Sequence, residues 1–260
     1  MVYLAADCES GRPLALKVIR VLDAVTLEAL QREADLQGQL ALLTRTVPEV
    51  YSCGRDGDLC YIAMEYVDGY DLDEAIGGGR FLAPEQAATI VRAICACLVV
   101  AHTTQFAANG HVRSIVHGDI KPGNIRITRA GMVKLLDFGS ARVLNGFQTS
   151  FDTNWLTVEY ASPERLRTGR VDRNADLWGA GAVLFEAVVG RRPAEVSAQR
   201  TNNVYELPAW CPASLGRIVR KAIATRPEDR YRSAHALLRD LDVFLTHESH
   251  CPAYVGRAKH

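Results

Sequence analysis

The order of β-prone and helical segments is the feature of this sequence that most constrains its fold. β-prone runs surround one helix-like segment in the first third of the chain, and mostly helical segments follow. A block of strands followed by a block of helices predicts an α+β fold with two lobes. The chain has 260 residues, 48% of them hydrophobic, which is sufficient for a buried core in such a fold.

Local patterns give the expected elements. Strands are predicted at 2–6, 14–19, 50–53 and 59–67, with the turn-rich segments DCESGRP and GRDGD joining two hairpins. Apolar residues at near-helical spacing between Leu27 and Leu43 predict a helix in this first part. Later helices are predicted at 84–102, 163–166, 175–189, 215–224 and 233–245.

Composition narrows the function classes. The 30 basic and 30 acidic side chains cancel, and no basic block marks a nucleic-acid or anionic membrane partner. The longest apolar run, 93–101, is half the length that crosses a bilayer, and the first residues do not resemble a signal peptide. Seven cysteines without paired CxxC spacing indicate neither a disulfide framework nor a zinc ribbon. A soluble cytoplasmic protein without membrane insertion is therefore predicted.

Two neighbouring segments carry the clearest chemistry, IVHGDIKPGNIRI at 115–127 and VKLLDFGSAR at 133–142. The loop between Asp119 and Asn124 places a carboxylate, the Lys121 ammonium and an amide oxygen within one small volume. Asp137 adds a second carboxylate at a strand end. Asp and Asn oxygens suit Mg²⁺, which prefers phosphate partners. A carboxylate base, a cation and a magnesium pair together indicate phosphoryl transfer.

These motifs, in this order, resemble the catalytic domain of the eukaryotic-type serine/threonine protein kinases common in bacteria. The resemblance covers residues 2–245 and includes LALKVI, QREADL, YIAMEYVDG, HGDIKPGN, DFG, YASPER, DLWGAG and RPEDRYRS. It implies one kinase-like domain with an N-lobe at about 1–66, a hinge at 65–70, a C-lobe at 71–248 and a tail at 249–260. It also implies ATP and Mg²⁺ as cofactors and proteins with a Ser or Thr acceptor as substrates.

The resemblance further assigns a nucleotide site. Lys17 is expected to hold the α- and β-phosphates, and Glu33 to fix that lysine in an ion pair. Met64 is expected as gatekeeper, and Asp71 as a ribose contact. Arg126 is expected below the adenine, with its stem as a floor and its guanidinium in water. The nucleotide-binding set implied by the family is Val2, Ala15, Lys17, Glu33, Glu65, Val67, Asp71 and Arg126, with the backbone of Glu65 and Val67 facing adenine.

The catalytic roles also follow from the resemblance. Asp119 is expected to accept or orient the substrate hydroxyl proton, Lys121 to neutralise the γ-phosphate, and Asn124 and Asp137 to hold magnesium. Two structural features are implied as well: Glu164 pairs with Arg230, and Asp176 braces the catalytic loop. Lys121, together with Thr157, is the serine/threonine pattern rather than the tyrosine pattern. In isolation each of these residues has an ordinary structural interpretation, and their order and spacing favour the functional one.

The largest departure from the family lies at the start of the sequence. A glycine-rich G-x-G-x-x-G-x-V loop is expected there, and Val2 matches only its last valine. Without the loop and its first strand, we expect an exposed sheet edge and weaker nucleotide binding. A displaced start site or truncation, a partner protein that completes the N-lobe, and a pseudokinase acting as a binding module are the alternatives. The complete set of charged motif residues favours the first.

Other departures concern regulation and substrate. Gly118 occupies the position at which relatives carry an arginine that binds a phosphate on the activation segment. Phosphorylation of that segment is therefore not expected to be the main switch of activity. Gln37 occupies a helix position where an apolar residue is expected, and 103–114 is expected to be a surface insertion. HGD followed by an Asn five positions after the aspartate also occurs in aminoglycoside and choline kinases. Lys121 and the DFG, SPE and DLWGAG motifs favour protein kinases over these small-molecule phosphotransferases.

Overall fold

A four-stranded antiparallel sheet and one helix form the N-lobe. The computed structural model describes residues 1–20, 24–108, 111–138, 142–143, 158–193 and 205–248. The sheet contains β1 (Val2–Ala6), β2 (Pro13–Arg20), β3 (Val50–Asp56) and β4 (Leu59–Glu65) in the order β1-β2-β4-β3. Helix α1 (Ala24–Ala41) packs on β3 and β4.

A small apolar cluster joins the helix to the sheet. Leu30 and Ala34 of α1 lie against Cys60 and Ile62 of β4, all four buried. Lys17 of β2 is paired with Ile62, so both side chains lie on the face of the sheet that α1 covers. The register therefore directs a lysine toward the helix.

Strand β1 is the edge of this sheet. Its recorded pairing is with β2, and Val2 and Leu4 are 62% and 66% exposed. The predicted exposed sheet edge is confirmed.

Helices dominate the C-lobe, as predicted. They are α2 (Leu72–Ile76), α3 (Pro84–Thr103), α4 (Pro163–Thr168), α5 (Arg173–Val189), α6 (Ala213–Ala222) and α7 (Ala234–Glu248). Short strands lie between β4 and α4 in the chain: β5 (Gly69–Asp71), β6 (Phe106–Ala108), β7 (His111–Arg113), β8 (Ile115–Val116), β9 (Ile125–Thr128), β10 (Val133–Leu135) and β11 (Arg142–Val143). The helix predictions are confirmed, with ends that differ by at most three residues.

Helix α5 is the centre of the C-lobe, since every residue from Ala175 to Val188 is buried. The Asp172 carboxylate accepts hydrogen bonds from the first backbone amides of the helix, and Gly190 ends it in a left-handed conformation. A Cβ atom on Gly179 would lie 2.8 Å from Ile120 Cβ. The absence of a side chain on Gly179 thus lets the catalytic-loop segment pack directly on the helix.

By length and composition, α3 is the one helix in the described part of the chain that is apolar enough to cross a membrane. Its apolar residues, such as Ile94 and Leu98, lie in the core that α3 shares with α5 and α7.

The predicted insertion at 103–114 contains two short strands among its described residues. Strands β6 and β7 pair as an antiparallel hairpin, with Phe106 opposite Arg113. Phe106 is buried in the main core, so one end of the hairpin is anchored.

The close approach of β5 to β9 gives a testable prediction on stability. A Cβ atom on Gly69 would lie 2.0 Å from the Ile127 carbonyl oxygen, which is backbone and cannot rotate away. We expect Gly69→Ala to reduce the free energy of unfolding by about 1–3 kcal/mol and Tm by roughly 3–10 °C. Gly77→Ala is the matched control, because its Cβ would meet nothing within 4 Å and its φ is −63°. Equal Tm values for the two variants would contradict the packing argument.

Candidate active site

A cavity of about 400 Å³ lies between the N-lobe sheet and the strands that begin the C-lobe. Nine residues predicted to bind nucleotide or metal line it: Val2, Ala15, Lys17, Glu33, Glu65, Val67, Asn124, Arg126 and Asp137. Its lining does not include Asp71, Asp119 or Lys121. The fold therefore brings most of the predicted nucleotide site together and leaves the proposed base beside the cavity.

Lys17 is the electrostatic centre of the cavity. Its Nζ lies 2.6 Å from Glu33 Oε1 and 2.9 Å from Asp137 Oδ1. Burial alone would lower the pKa of Lys17, but the two carboxylates outweigh it and raise that pKa. The predicted Lys17–Glu33 ion pair is confirmed. The same ammonium also contacts Asp137, the aspartate of the DFG motif.

Asp137 is held in an uncommon backbone conformation after β10. Its φ of 61° is the one positive value recorded for a residue other than glycine in the described part of the chain. Phe138 is buried and makes a T-shaped contact with the His117 ring at a centroid distance of 4.7 Å. The Phe138 side chain is thus anchored in the core, while the Asp137 side chain lines the cavity and remains half exposed.

The catalytic loop brings two polar side chains, Lys121 and Asn124, against Asp119. Lys121 Nζ lies 2.7 Å from Asp119 Oδ2. Asn124 donates from Nδ2 to the Asp119 backbone oxygen at 2.8 Å and to Asp119 Oδ2 at 3.0 Å. A 3₁₀ turn at Pro122–Asn124 brings the asparagine back over the loop. The predicted grouping of Asp119, Lys121 and Asn124 is confirmed.

Asp176 of α5 fixes the backbone of the catalytic loop. Its carboxylate accepts hydrogen bonds from the His117 and Gly118 amides at 2.9 and 2.7 Å and lies 2.8 Å from His102 Nε2. Burial would raise the pKa of Asp176, but these hydrogen bonds and the two histidines outweigh it and lower the pKa. The predicted bracing role is confirmed. Gly118 has a φ of 81°, a conformation that glycine adopts without strain.

Helix α4 contacts the same loop. Arg165 donates a hydrogen bond from Nη1 to the Gly118 carbonyl oxygen. The neighbouring Glu164 binds Arg230 through both carboxylate oxygens, at 2.6 and 2.7 Å. The predicted Glu164–Arg230 pair is confirmed, and sequence reasoning missed the contact of Arg165.

The Glu164–Arg230 pair predicts how stability responds to acid. Burial would raise the pKa of Glu164, but hydrogen bonds from Arg230 and Ser162 outweigh it and lower the pKa. The folded state therefore releases this proton more readily than the unfolded state, and the pair's contribution is present above the unfolded-state pKa. It is lost as pH falls through the lower, folded-state pKa.

We expect Glu164→Gln to reduce the free energy of unfolding by about 2 kcal/mol at pH 7, because a charge-assisted hydrogen bond becomes a neutral one. Urea denaturation from pH 7 to pH 3 measures the difference, which should shrink toward the acid end. Glu228→Gln is the control, because this glutamate pairs with exposed Arg226 on the surface. A difference that stays constant across this pH range would contradict the assignment.

The hinge corrects one prediction and adds a partner for Asp71. Arg126 donates from Nε to Val67 O at 2.7 Å, from Nη1 to Asp71 Oδ1 at 2.7 Å and from Nη2 to Gly69 O at 2.8 Å. The expectation that its guanidinium reaches water is wrong, since all three nitrogens are used by the hinge. Asp71 pairs with Arg126 and does not line the cavity, and its contact with ribose stays a prediction. Strand pairing explains both results, because Asp71 lies directly opposite Arg126.

Two further polar groups near the hinge were not predicted as site residues. Lys134, directly opposite Arg126 in the β9–β10 pair, binds Glu65 Oε2 at 2.7 Å. Gln37 is buried in the cavity wall and donates to the Pro48 carbonyl oxygen at 3.0 Å. Gln37 was noted as a polar residue at an apolar position. In the sequence, the one signal for Lys134 is that it is the polar residue of the otherwise apolar run VKLL.

The donor groups in the cavity suit a divalent cation. Asn124 uses its amide nitrogen within the loop, which leaves its side-chain oxygen as the group available to a cation. The described residues contain no cluster of three or more His, Cys, Asp or Glu side chains suited to a metal. A cation held by Asn124 and Asp137 would therefore complete its ligand shell with phosphate oxygens and water, which is the usual coordination of Mg²⁺.

Several predictions fall outside the described residues. They concern Gly139 of DFG, Thr157 and the other hydroxyl residues of 144–157, and the tail 249–260.

Comparison with known proteins gives a consistent result. The family model described as protein kinase domain matches residues 1–241. The chain is 34% identical over 252 residues to serine/threonine-protein kinase PrkC of Bacillus subtilis, covering 92% of this chain and 38% of that protein. It is 33% identical over 259 residues to serine/threonine-protein kinase PknB of Mycobacterium leprae, covering 92% and 40%. The chain thus spans about two fifths of the length of these relatives.

The domain match covers nearly all of the chain, and the motif residues Lys17, Glu33 and Asp137 meet in one cavity. The chain belongs to the protein kinase family.

Proposed function

We propose that this domain transfers the γ-phosphoryl group of Mg·ATP to a serine or threonine hydroxyl of a protein. The observation that carries the proposal is the double contact of Lys17 with Glu33 and Asp137 in a cavity that Asn124 also lines. An ammonium held between two carboxylates is poised beside the site where phosphate charge would be bound. Kinases of this family use ATP and a divalent metal ion, and magnesium as that ion is part of the proposal.

The residues divide the reaction between them. The acceptor oxygen forms a bond to the γ-phosphorus, the bond from that phosphorus to the β–γ bridging oxygen breaks, and ADP leaves. Asp119 orients the acceptor hydroxyl and takes its proton, while Lys121, 2.7 Å from Asp119, stabilises charge on the transferred group. Lys17 holds the phosphates, and Asn124 and Asp137 would hold the metal ion that neutralises them. Positioning and electrostatics supply most of the catalysis.

The choice of protein hydroxyls as acceptors has two supports. The two relatives carry the name serine/threonine-protein kinase. Lys121 also lies two residues after Asp119 and contacts it, as in the serine/threonine pattern. The small-molecule phosphotransferase and binding-module alternatives are not favoured. The proposal places the domain in the cytoplasm, where ATP is abundant.

A phosphotransfer assay tests the proposal. The purified chain is incubated with Mg²⁺ and γ-labelled ATP in four reactions: alone, with a mixture of unfolded protein acceptors, with an aminoglycoside and with choline. The labelled amino acids or small molecules are then identified. We expect label on serine or threonine and an increase in Tm with millimolar Mg·ATP, since stabilisation grows as RT ln(1 + [L]/Kd). Nucleotide binding with label only on added aminoglycoside or choline would overturn the choice of substrate. Neither binding nor transfer would overturn the enzyme assignment.

A further inference from the structure

Arg126 lines the cavity and is bonded to the hinge at the same time. On β9, Ile125 and Ile127 are buried in the C-lobe core, whereas Arg126 alternates to the opposite face. Antiparallel pairing sets it directly between Asp71 on β5 and Lys134 on β10. The position of this guanidinium is therefore set by strand register as well as by its own hydrogen bonds.

Two ion pairs fix the ends of the hinge to this sheet. Lys134 binds Glu65 at the start of the hinge, and Arg126 binds Asp71 at its end, each at 2.7 Å. Between them, Arg126 also donates to the carbonyl oxygens of Val67 and Gly69. One of the two hinge residues expected to meet the base thus already has its carbonyl group bonded to the protein.

We propose that Arg126 is a specificity-determining residue of the base pocket, which selects purines without a 2-amino group by occupying the Val67 carbonyl. This inference rests on the proposed function, because it takes the cavity as the nucleotide site. The 6-amino group, N1 and C2 follow one another along one edge of adenine. A base whose 6-amino group donates to Glu65 O, and whose N1 accepts from the Val67 amide, presents C2 to the Val67 carbonyl oxygen.

The charge of Arg126 strengthens the discrimination. Its Nε donates to Val67 O at 2.7 Å, and a hydrogen bond from a guanidinium is stronger than one from a neutral donor. A 2-amino group would bring a second donor beside this N–H, where the two sets of hydrogens repel each other. Adenine, which carries only hydrogen at C2, does not meet that conflict.

Binding of two triphosphates tests the inference. Kd is measured with Mg²⁺ for ATP and for the riboside triphosphate of 2,6-diaminopurine, on the wild type and on Arg126→Leu. In the wild type we expect the diamino nucleotide to bind more weakly than ATP, because its 2-amino group meets the Arg126 N–H at the Val67 carbonyl oxygen. In Arg126→Leu the carbonyl is released, and we expect the diamino nucleotide to gain about fivefold over ATP, the equivalent of about 1 kcal/mol. Because both ligands are compared on one variant, partly unfolded protein cancels from the ratio.

A second variant tests whether release of the Val67 carbonyl, rather than a general loosening of the hinge, changes the ratio of the two Kd values. Asp71→Asn removes the ion pair but leaves the bond from Arg126 Nε to Val67 O. We expect its ratio of the two Kd values to equal that of the wild type. A fivefold gain in Asp71→Asn as well would overturn the inference, because loosening of the hinge would then explain it. An unchanged ratio in Arg126→Leu would also overturn it while ATP binding still supported the proposed function. Failure of the wild type to bind ATP would overturn both.

Discussion

Replacing Asp119 with asparagine is expected to lower kcat by about 10²–10⁴, the contribution typical of a positioned general base. The carboxylate is 10% exposed and is held by Lys121 and by the Asn124 amide. Asparagine keeps the shape of the side chain but loses the charge that accepts a hydroxyl proton. Because Asp119 does not line the cavity, Kd for Mg·ATP should change less than threefold. Steady-state phosphotransfer and a separate binding titration measure the two quantities.

Asp68→Asn is the matched control for this substitution. Its carboxylate is 57% exposed and pairs with Arg129 on the surface, so kcat should remain at the wild-type value. A Tm measured for both variants shows whether either substitution disturbs the fold. If Asp119→Asn keeps kcat within threefold of the wild type, Asp119 is not the base.

Much of the site was predictable because it consists of short motifs. Asp119, Lys121 and Asn124 lie within six residues, so a single tight loop is enough to bring them together. The Lys17–Glu33 pair follows from a strand and the next helix, whose packing leaves few alternatives. The division into a β-rich lobe and a helical lobe follows in the same way from the order of the segments.

The hinge contacts were not predictable by that route. The partners of Arg126 depend on a register in which Asp71 lies opposite Arg126, 55 residues away along the chain. A shift of the strand register by one residue would have turned the Arg126 side chain into the core. The sequence pattern alone therefore did not determine which face of the sheet this side chain lies on. The contact of Arg165 with Gly118 likewise spans 47 residues and joins helix α4 to the irregular catalytic loop. Both examples show that long-range polar pairing, not local propensity, completed the site.

Replacing Lys17 with methionine is expected to lower phosphotransfer by about 10²–10³, as for loss of a preorganised electrostatic group. The ammonium is the cation that contacts both Glu33 and Asp137. Without it, nucleotide phosphates would meet two carboxylates and no lysine at this point, so the increase in Tm with Mg·ATP should also be lost. Arg20→Met is the matched control, because Arg20 lies on the same strand but is 73% exposed and pairs with surface Asp58.

A double variant separates the catalytic role of this pair from its role in stability. In Lys17→Met alone, Glu33 becomes a carboxylate that is 7% exposed and has lost its cation, so we expect Tm to fall. Burial already raises the pKa of Glu33, and removal of Lys17 removes the main opposing effect. Replacing both residues, as Lys17→Met with Glu33→Leu, removes the buried charges together and should restore Tm without restoring phosphotransfer. Activity that recovered along with Tm would show that the pair acts only through stability and would remove Lys17 from the catalytic site.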